Sequence, residues 1–390
     1  MSYRKLKADH LFDGFEIFAT EKVLILNKDN SIEDIVEVED AGGDIEEFPG
    51  IITPGFVNAH CHLELSHMKG LIPKGTGLVD FVFNIVSHRH VGEELQESID
   101  QADENMYKSG ISIVGDICNN ASTLPRKSKS DIKYFNFIEA SGWLPSVAQN
   151  RFERSKEIYD AFRKISDHVS IIPHAPYSVS NALWKLITPY FTDTVLSIHN
   201  QETSSEDEFF MQGTGDLQRM YNLMNIRHTA YVPSGKSSLQ THFNKLRTAR
   251  SVILVHNTFT SGEDISHIKN EAQNQLVSLC LCVNANKYIE NTLPDVEMLH
   301  QSGLNIILGT DSLASNDALD MVSEMKTIQS NFPSITLQEI LRWATINGAR
   351  SFQLENEYGR FMKGTKPGVT LITGLQENRL TKDSVSMRLA

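Results

Sequence analysis

The chain has 390 residues, 40% of them hydrophobic, and a formal net charge of −13. That length buries a large core and accommodates one big domain with a small companion. The acidic balance argues against nucleic acid or an anionic membrane as partner, since both need a basic face. The opening MSYRKLKADHLFDGF has no apolar signal stretch and no later run reaches membrane-spanning length, so the expected compartment is the cytoplasm.

Residues 1–52 carry short alternating runs such as KVLILN and SIEDIVEVED with turn residues between them, the pattern of strands in a small β-domain. Beyond them, β-branched runs alternate with segments of helical length. The candidate strands are 52–59, 111–117, 134–139, 170–174, 195–199, 252–256, 277–283 and 305–309. Eight parallel strands with intervening helices is the count that closes into a TIM-like (β/α)8 barrel, and no internal repeat competes. Helices are expected at 94–108 (stopping at Gly110), 157–164, 181–190 and 335–345. The tail GVTLITGLQENRL returns to the style of the first strands. The expected fold is therefore α/β: a barrel over 53–361 and a small β-sandwich assembled from 1–52 and 362–390.

Four cysteines, Cys61, Cys118, Cys280 and Cys282, lie in or beside apolar runs and read as reduced, buried thiols. Cys280 and Cys282 form a Cys-x-Cys pair, but no second pair stands at zinc-site spacing.

His60 and His62 sit two apart at the end of the first of the eight runs, and alternate residues of a strand face the same side, so both imidazoles can address one point. His199 ends the fifth strand, His256 the sixth, and Asp311 follows the eighth. The carboxyl ends of barrel strands form the functional face, so these distant residues converge there as a candidate metal site.

The runs PGFVNAHCHLELS, HNQET at 199, LVHNTF at 254 and GTDSLASN at 309 resemble the metal-dependent amidohydrolase superfamily, in its branch of deaminases and chlorohydrolases acting on nitrogen heterocycles. HAPYSVS, ATINGAR and GTKPGV are similar to the same branch. The resemblance implies a distorted barrel, a small β-domain and one divalent metal held by His60, His62, His199 and Asp311. Two-metal members use a carboxylated lysine at the fourth strand, where this chain reads SIIPHAP and has none, so a single ion is expected. Three imidazoles and a carboxylate suit zinc; iron and manganese accept nearly the same donors.

In this reading Asp311 takes the proton of the attacking water and His256 orients that water. The family's His-x-x-Glu pattern matches at His199 and Glu202, which implies that Glu202 protonates the ring nitrogen. Glu206 and Glu208 read as carboxylates capping a helix dipole. For the substrate pocket, Glu64 either receives a hydroxyl or ring NH or pairs with a cation. His174 and Tyr177 are placed to touch base or sugar, Trp143 and Phe81 are candidate stacking walls, and 206–224 is a candidate lid.

HLELSHMKG followed by IPKGTGLVDFV resembles the aminodeoxyfutalosine deaminases, while methylthioadenosine and S-adenosylhomocysteine deaminases share the chemistry. One departure stands out: the family often has Cys-Pro-x-Ser-Asn at the seventh strand, and this chain reads CVNAN over 282–286. Competing readings are an aminohydrolase or chlorohydrolase of a triazine, pterin or pyrimidine and, from another class, a non-catalytic barrel serving as an assembly module, which the retained ligand residues disfavour. A small molecule is the expected partner, and a homo-oligomer is compatible with the sequence.

Overall fold

The structure is a computed structural model and describes residues 3–89, 95–227, 231–272 and 274–390. Its first strands are β1 (Arg4–Leu11), β2 (Lys22–Leu26), β3 (Ile32–Glu37) and β4 (Ile45–Pro54). A sharp break follows, because a Cβ at Gly55 would overlap the Ser112 hydroxyl and stand 2.6 Å from the Pro367 carbonyl oxygen. Only glycine lets the backbone pass so close to both. Residues 52–54 thus end one strand, and the run expected as a single strand over 52–59 is split between two sheets.

The next eight strands are β5 (Phe56–Cys61), β6 (Ile111–Cys118), β7 (Lys133–Ala140), β8 (Val169–Pro173), β9 (Val195–Asn200), β10 (Ser251–His256), β11 (Leu276–Leu281) and β12 (Asn305–Leu308). They form two four-stranded parallel sheets, ordered β5-β6-β7-β8 and β12-β11-β10-β9. β6 is buried at every position. Near-continuous apolar runs of this kind belong to parallel strands covered on both faces, which is why the sequence shows runs here rather than alternation.

The two sheets meet along two seams. His199 N donates to the His174 carbonyl at 3.0 Å on one side, and Thr310 N and Asp311 N both donate to the His60 carbonyl at 3.0 Å on the other. A reciprocal clamp reinforces the second seam: Asn58 Nδ2 donates to Thr310 Oγ1 at 2.7 Å, and Thr310 N donates to Asn58 Oδ1 at 3.0 Å.

The last strands, β13 (Val369–Gln376) and β14 (Arg379–Arg388), join the first four in one six-stranded sheet of order β14-β13-β4-β1-β2-β3. Strands from both ends of the chain share this sheet. It is one hydrogen-bonded sheet rather than the two layers of a sandwich, with β1 and β4 parallel and β13 antiparallel to β4. Leu6, Leu24, Ile52 and Leu371 form its core. The larger core, with Phe137, Leu254, Ile307 and Trp343 among its members, draws on both parallel sheets and their helices.

Helices Leu95–Lys108, Asn181–Ile187 and Leu337–Ala344 match their expected segments, although residue 94 lies outside the described residues. The helix expected at 157–164 instead runs Ala148–Phe162, starting nine residues earlier. Its buried residues are Ala148, Ser155 and Phe162, one every seven positions, and so thin an apolar stripe leaves little periodicity to read. Among the described residues no helix is long and apolar enough to cross a membrane, and all four cysteines are free and buried.

Candidate active site

The seams bring the expected donors together. His60 Nε2 lies 3.2 Å from His62 Nε2 and 3.6 Å from Asp311 Oδ1, and His62 Nε2 lies 3.4 Å from the same oxygen. Donors about 2.1 Å from a common tetrahedral ion stand about 3.4 Å apart, so these separations fit a cation cradle. A second triad of ligand-type atoms, His60, His199 and His256, shares His60 with the first.

Local bonds select which nitrogen each imidazole presents. His199 Nδ1 donates to the His174 carbonyl at 2.8 Å, leaving Nε2 with its lone pair. Asp311 Oδ2 accepts from Ser315 Oγ at 2.6 Å, which leaves Oδ1 for the histidines. Burial lowers the pKa of His60 and His199, and drives that of His62 down to about 4, so neutral, ligand-competent rings prevail at pH 7. For Asp311 burial pushes upward, but the hydrogen bond with His60 and the neighbouring imidazoles outweigh it and hold the carboxyl well below its usual range. The chemistry of this donor set, with neutral imidazoles around an ionised carboxylate, suits a divalent ion.

The backbone is bent to present these groups. His256 and Asp311 have φ of +74° and +57°, left-handed values that cost energy in non-glycine residues and cluster at functional sites. Gly309, just before the Asp311 turn, packs so tightly that a Cβ would stand 2.9 Å from Cys280 Sγ, 2.9 Å from His60 Cβ and 3.0 Å from Cys282 Sγ. The two cysteines thus fill space under the cluster; no group of metal-ligand atoms among the described residues includes a thiol.

Glu202 stands 3.5 Å from His256 Nε2, and burial, with Asp311 and Glu290 adding repulsion, raises its pKa well above the carboxylate range. Burial therefore favours its protonated form, the form a proton donor needs. His256 Nδ1 bonds the Asn286 side-chain oxygen at 2.8 Å. Sequence reading had noted CVNAN only as a departure; its last asparagine proves to orient a site imidazole.

The cluster opens into a cavity of about 710 Å³, in the range that takes small-molecule ligands. Phe81, Trp143, His174 and Tyr177 all line it, and Trp143 stacks on Tyr221 at 5.3 Å between ring centroids. Glu64 does not line it. Glu64 Oε1 accepts from Arg89 at 2.7 Å and Oε2 from the Asn119 backbone at 3.0 Å, while burial raises its pKa to about 7. Of the two roles open to Glu64, the ion pair is the one realised, because the chain after His62 turns into a 3-10 helix over Leu63–Met68 instead of staying extended. Asp116 Oδ1 fixes that turn, accepting from Leu63 N at 2.7 Å.

The segment expected as a lid is two helices, Ser204–Gln212 and Asp216–Leu223. Phe209, Phe210, Leu217, Met220 and Tyr221 pack with Leu78, Phe81 and Ile85 in a separate apolar cluster over the cavity. Glu206 is no exposed cap. It is fully buried, accepts from Ser238 Oγ at 2.5 Å, and burial raises its pKa to about 8. Glu139 at the end of β7 also lines the cavity and was missed, although its place at a strand's carboxyl end was a usable signal.

The profile of the amidohydrolase family matches residues 51–387, and the chain belongs to that family. An adenosine deaminase of Helicobacter pylori is 27% identical over 319 residues, covering 78% of this chain and 75% of the relative. Among solved structures, Helicobacter pylori aminofutalosine deaminase in complex with methylthio-coformycin superposes with a TM-score of 0.80 at 22% identity, covering 96% of this chain and 93% of the other. An adenosine deaminase from Xanthomonas campestris with bound zinc gives 0.70 at 19% identity, covering 94% and 84%.

Proposed function

We propose that the chain is a metal-dependent deaminase that hydrolyses the amino group from an adenosine-like nucleoside such as aminodeoxyfutalosine. One observation carries this reading: Glu202, a buried carboxyl whose pKa is raised by that burial, shares a cavity with the His60, His62 and Asp311 cluster. A proton donor beside a cation cradle is what amine hydrolysis requires, and the names of the relatives belong to that class. His60, His62, His199 and Asp311 would hold a single divalent ion, zinc by preference. When bound, such an ion makes water nucleophilic near neutral pH by lowering its pKa from about 15.7 toward ~7.

The chain's own groups do the rest. His256 Nε2, its ring fixed by Asn286, orients the attacking water. The Asp311 carboxylate, held in place by Ser315, takes the proton that the water loses. Glu202 delivers its proton to the ring nitrogen beside the carbon under attack, which neutralises the electron pair displaced from their double bond. Asp311 then passes its proton to the amine, which leaves as ammonia while the new hydroxyl gives its proton to Glu202 and becomes the carbonyl, restoring both carboxyl groups. Phe81, Trp143, His174 and Tyr177 wall the space that receives the base.

On this reading the two parallel sheets are halves of one (β/α)8 barrel over 53–361, and the terminal sheet, from 1–52 and 362–390, is its companion domain. The buried free thiols accord with a cytoplasmic protein. The test is ammonia release by metal-loaded protein from adenosine, 5′-methylthioadenosine, S-adenosylhomocysteine and aminodeoxyfutalosine. Silence across that panel removes the substrate class.

A further inference from the structure

We propose that Glu139 is the carboxylate by which this site recognises a sugar hydroxyl of its substrate, an inference that rests on the nucleoside reading above. Glu139 ends β7, its side chain is 4% exposed, and it lines the cavity. Its two oxygens have unlike surroundings. Oε2 accepts from Asn119 Nδ2 at 2.8 Å. Oε1 is buried without a hydrogen-bond partner among the described residues. A basic nitrogen, His199 Nδ1, stands 3.7 Å away, but it is committed to the His174 carbonyl at 2.8 Å.

That commitment also decides between two uses of the cluster. Glu139, His174 and His199 hold ligand-type atoms within 4.8 Å of one another, the spacing of a second cation site. His199 Nδ1, however, directs its proton at a carbonyl and has no lone pair to give. The free oxygen of Glu139 is therefore an acceptor for a donor brought by the ligand, rather than part of a second metal cradle.

The aim of that oxygen is fixed from behind. Arg89 holds Glu64, Glu64 accepts from the backbone N–H of Asn119, and the side chain of Asn119 holds Glu139. The hydroxyl-binding role that spacing offered to Glu64 thus passes along this relay to Glu139, which does face the cavity.

The chemistry of the ligand narrows what the oxygen meets. A carboxylate accepts hydrogen bonds and does not donate them. In an adenosine-like nucleoside N1, N3 and N7 are acceptors and N9 carries the sugar, so apart from the departing amine the donors are the sugar hydroxyls. Glu202 and Glu139 stand beside different imidazoles, His256 and His199. One carboxyl gives a proton to the base while the other accepts a bond from the sugar.

The experiment compares kcat/KM of the metal-loaded full chain on adenosine and 5′-methylthioadenosine with that on their 2′-deoxy and 3′-deoxy counterparts. The native protein is expected to lose about 10-fold or more on at least one deoxy series, as befits a hydrogen bond to a charged group. In Glu139→Ala the ribo-to-deoxy ratio collapses toward one, with Glu139→Gln in between. Equal rates on ribo and deoxy substrates by the native protein overturn the proposal and leave the deaminase reading standing, and this arm needs no variant to fold. A variant that slows every substrate by the same factor, with metal content and melting temperature unchanged, also overturns it, since a residue acting only through His199 would behave so. If no nucleoside releases ammonia, the deaminase reading itself fails and takes this inference with it.

Discussion

The floor and the wall of the cavity are built on different principles. On the floor, His60, His199, His256 and Asp311 stand at or just after strand ends, where parallel pairing fixes them and the two seams carry His60, His174, His199 and Asp311 in their own hydrogen bonds. On the wall, Trp143, Phe81 and Tyr221 come from a loop and two helices held by aromatic packing. Hydrogen-bonded register tolerates little displacement, whereas an apolar cluster can repack. On the proposed reading the acid and metal chemistry sits on the rigid part, and the adaptable wall adjusts to the base.

That contrast is open to attack in order of expected effect. Asp311→Asn should strip the metal, measured by elemental analysis, and reduce ammonia release to background; a variant that keeps both would break the account of the floor. Glu202→Gln should retain the metal and lower kcat by roughly 10²–10⁴-fold, the usual contribution of a positioned acid, in single-turnover assays. Asn286→Ala should cost about 10–100-fold in activity by freeing the His256 ring, as loss of such orienting partners does. Trp143→Ala, a wall change, should raise KM about 2–10-fold with kcat little altered, in line with ~0.5–1.5 kcal/mol for an aromatic pair.

The smallest effect concerns stability. Because burial raises the pKa of Glu206 to about 8, the folded state binds that proton more tightly than the unfolded chain. Its contribution is intact below about pH 4.3, the unfolded value, and is lost as pH climbs through about 8. Glu206→Gln should therefore raise the melting temperature more at pH 8 than at pH 5, by calorimetry. An equal change at both would mean that Glu206 ionises freely in the folded protein.

The same contrast explains what could be read in advance. The strands of the two parallel sheets were legible because both their faces are buried, save that the first was merged with the end of β4, and the candidate ligands followed from a topological rule about strand ends. Glu64 was misleading since its spacing from His62 assumed an extended chain, and the turn that Asp116 pins is a contact between residues 53 positions apart. Asn286 and Glu206, both on helices, acquire their roles from a histidine on a strand and a serine on another helix. The long helix Ala148–Phe162 was half missed for the opposite reason, that it buries too little to leave a trace.

The seam between β12 and β5 sets a schedule for the molecule. Asn58 and Thr310, which clasp each other there, are 252 positions apart. At synthesis rates of about 5–20 residues per second, an emerging chain carries His60 and His62 for roughly 13–50 s before Asp311 exists to complete the cradle. An ion held as proposed would thus be acquired only once the last strand of the paired sheets has docked, and would fasten the earliest-made of these strands to the latest.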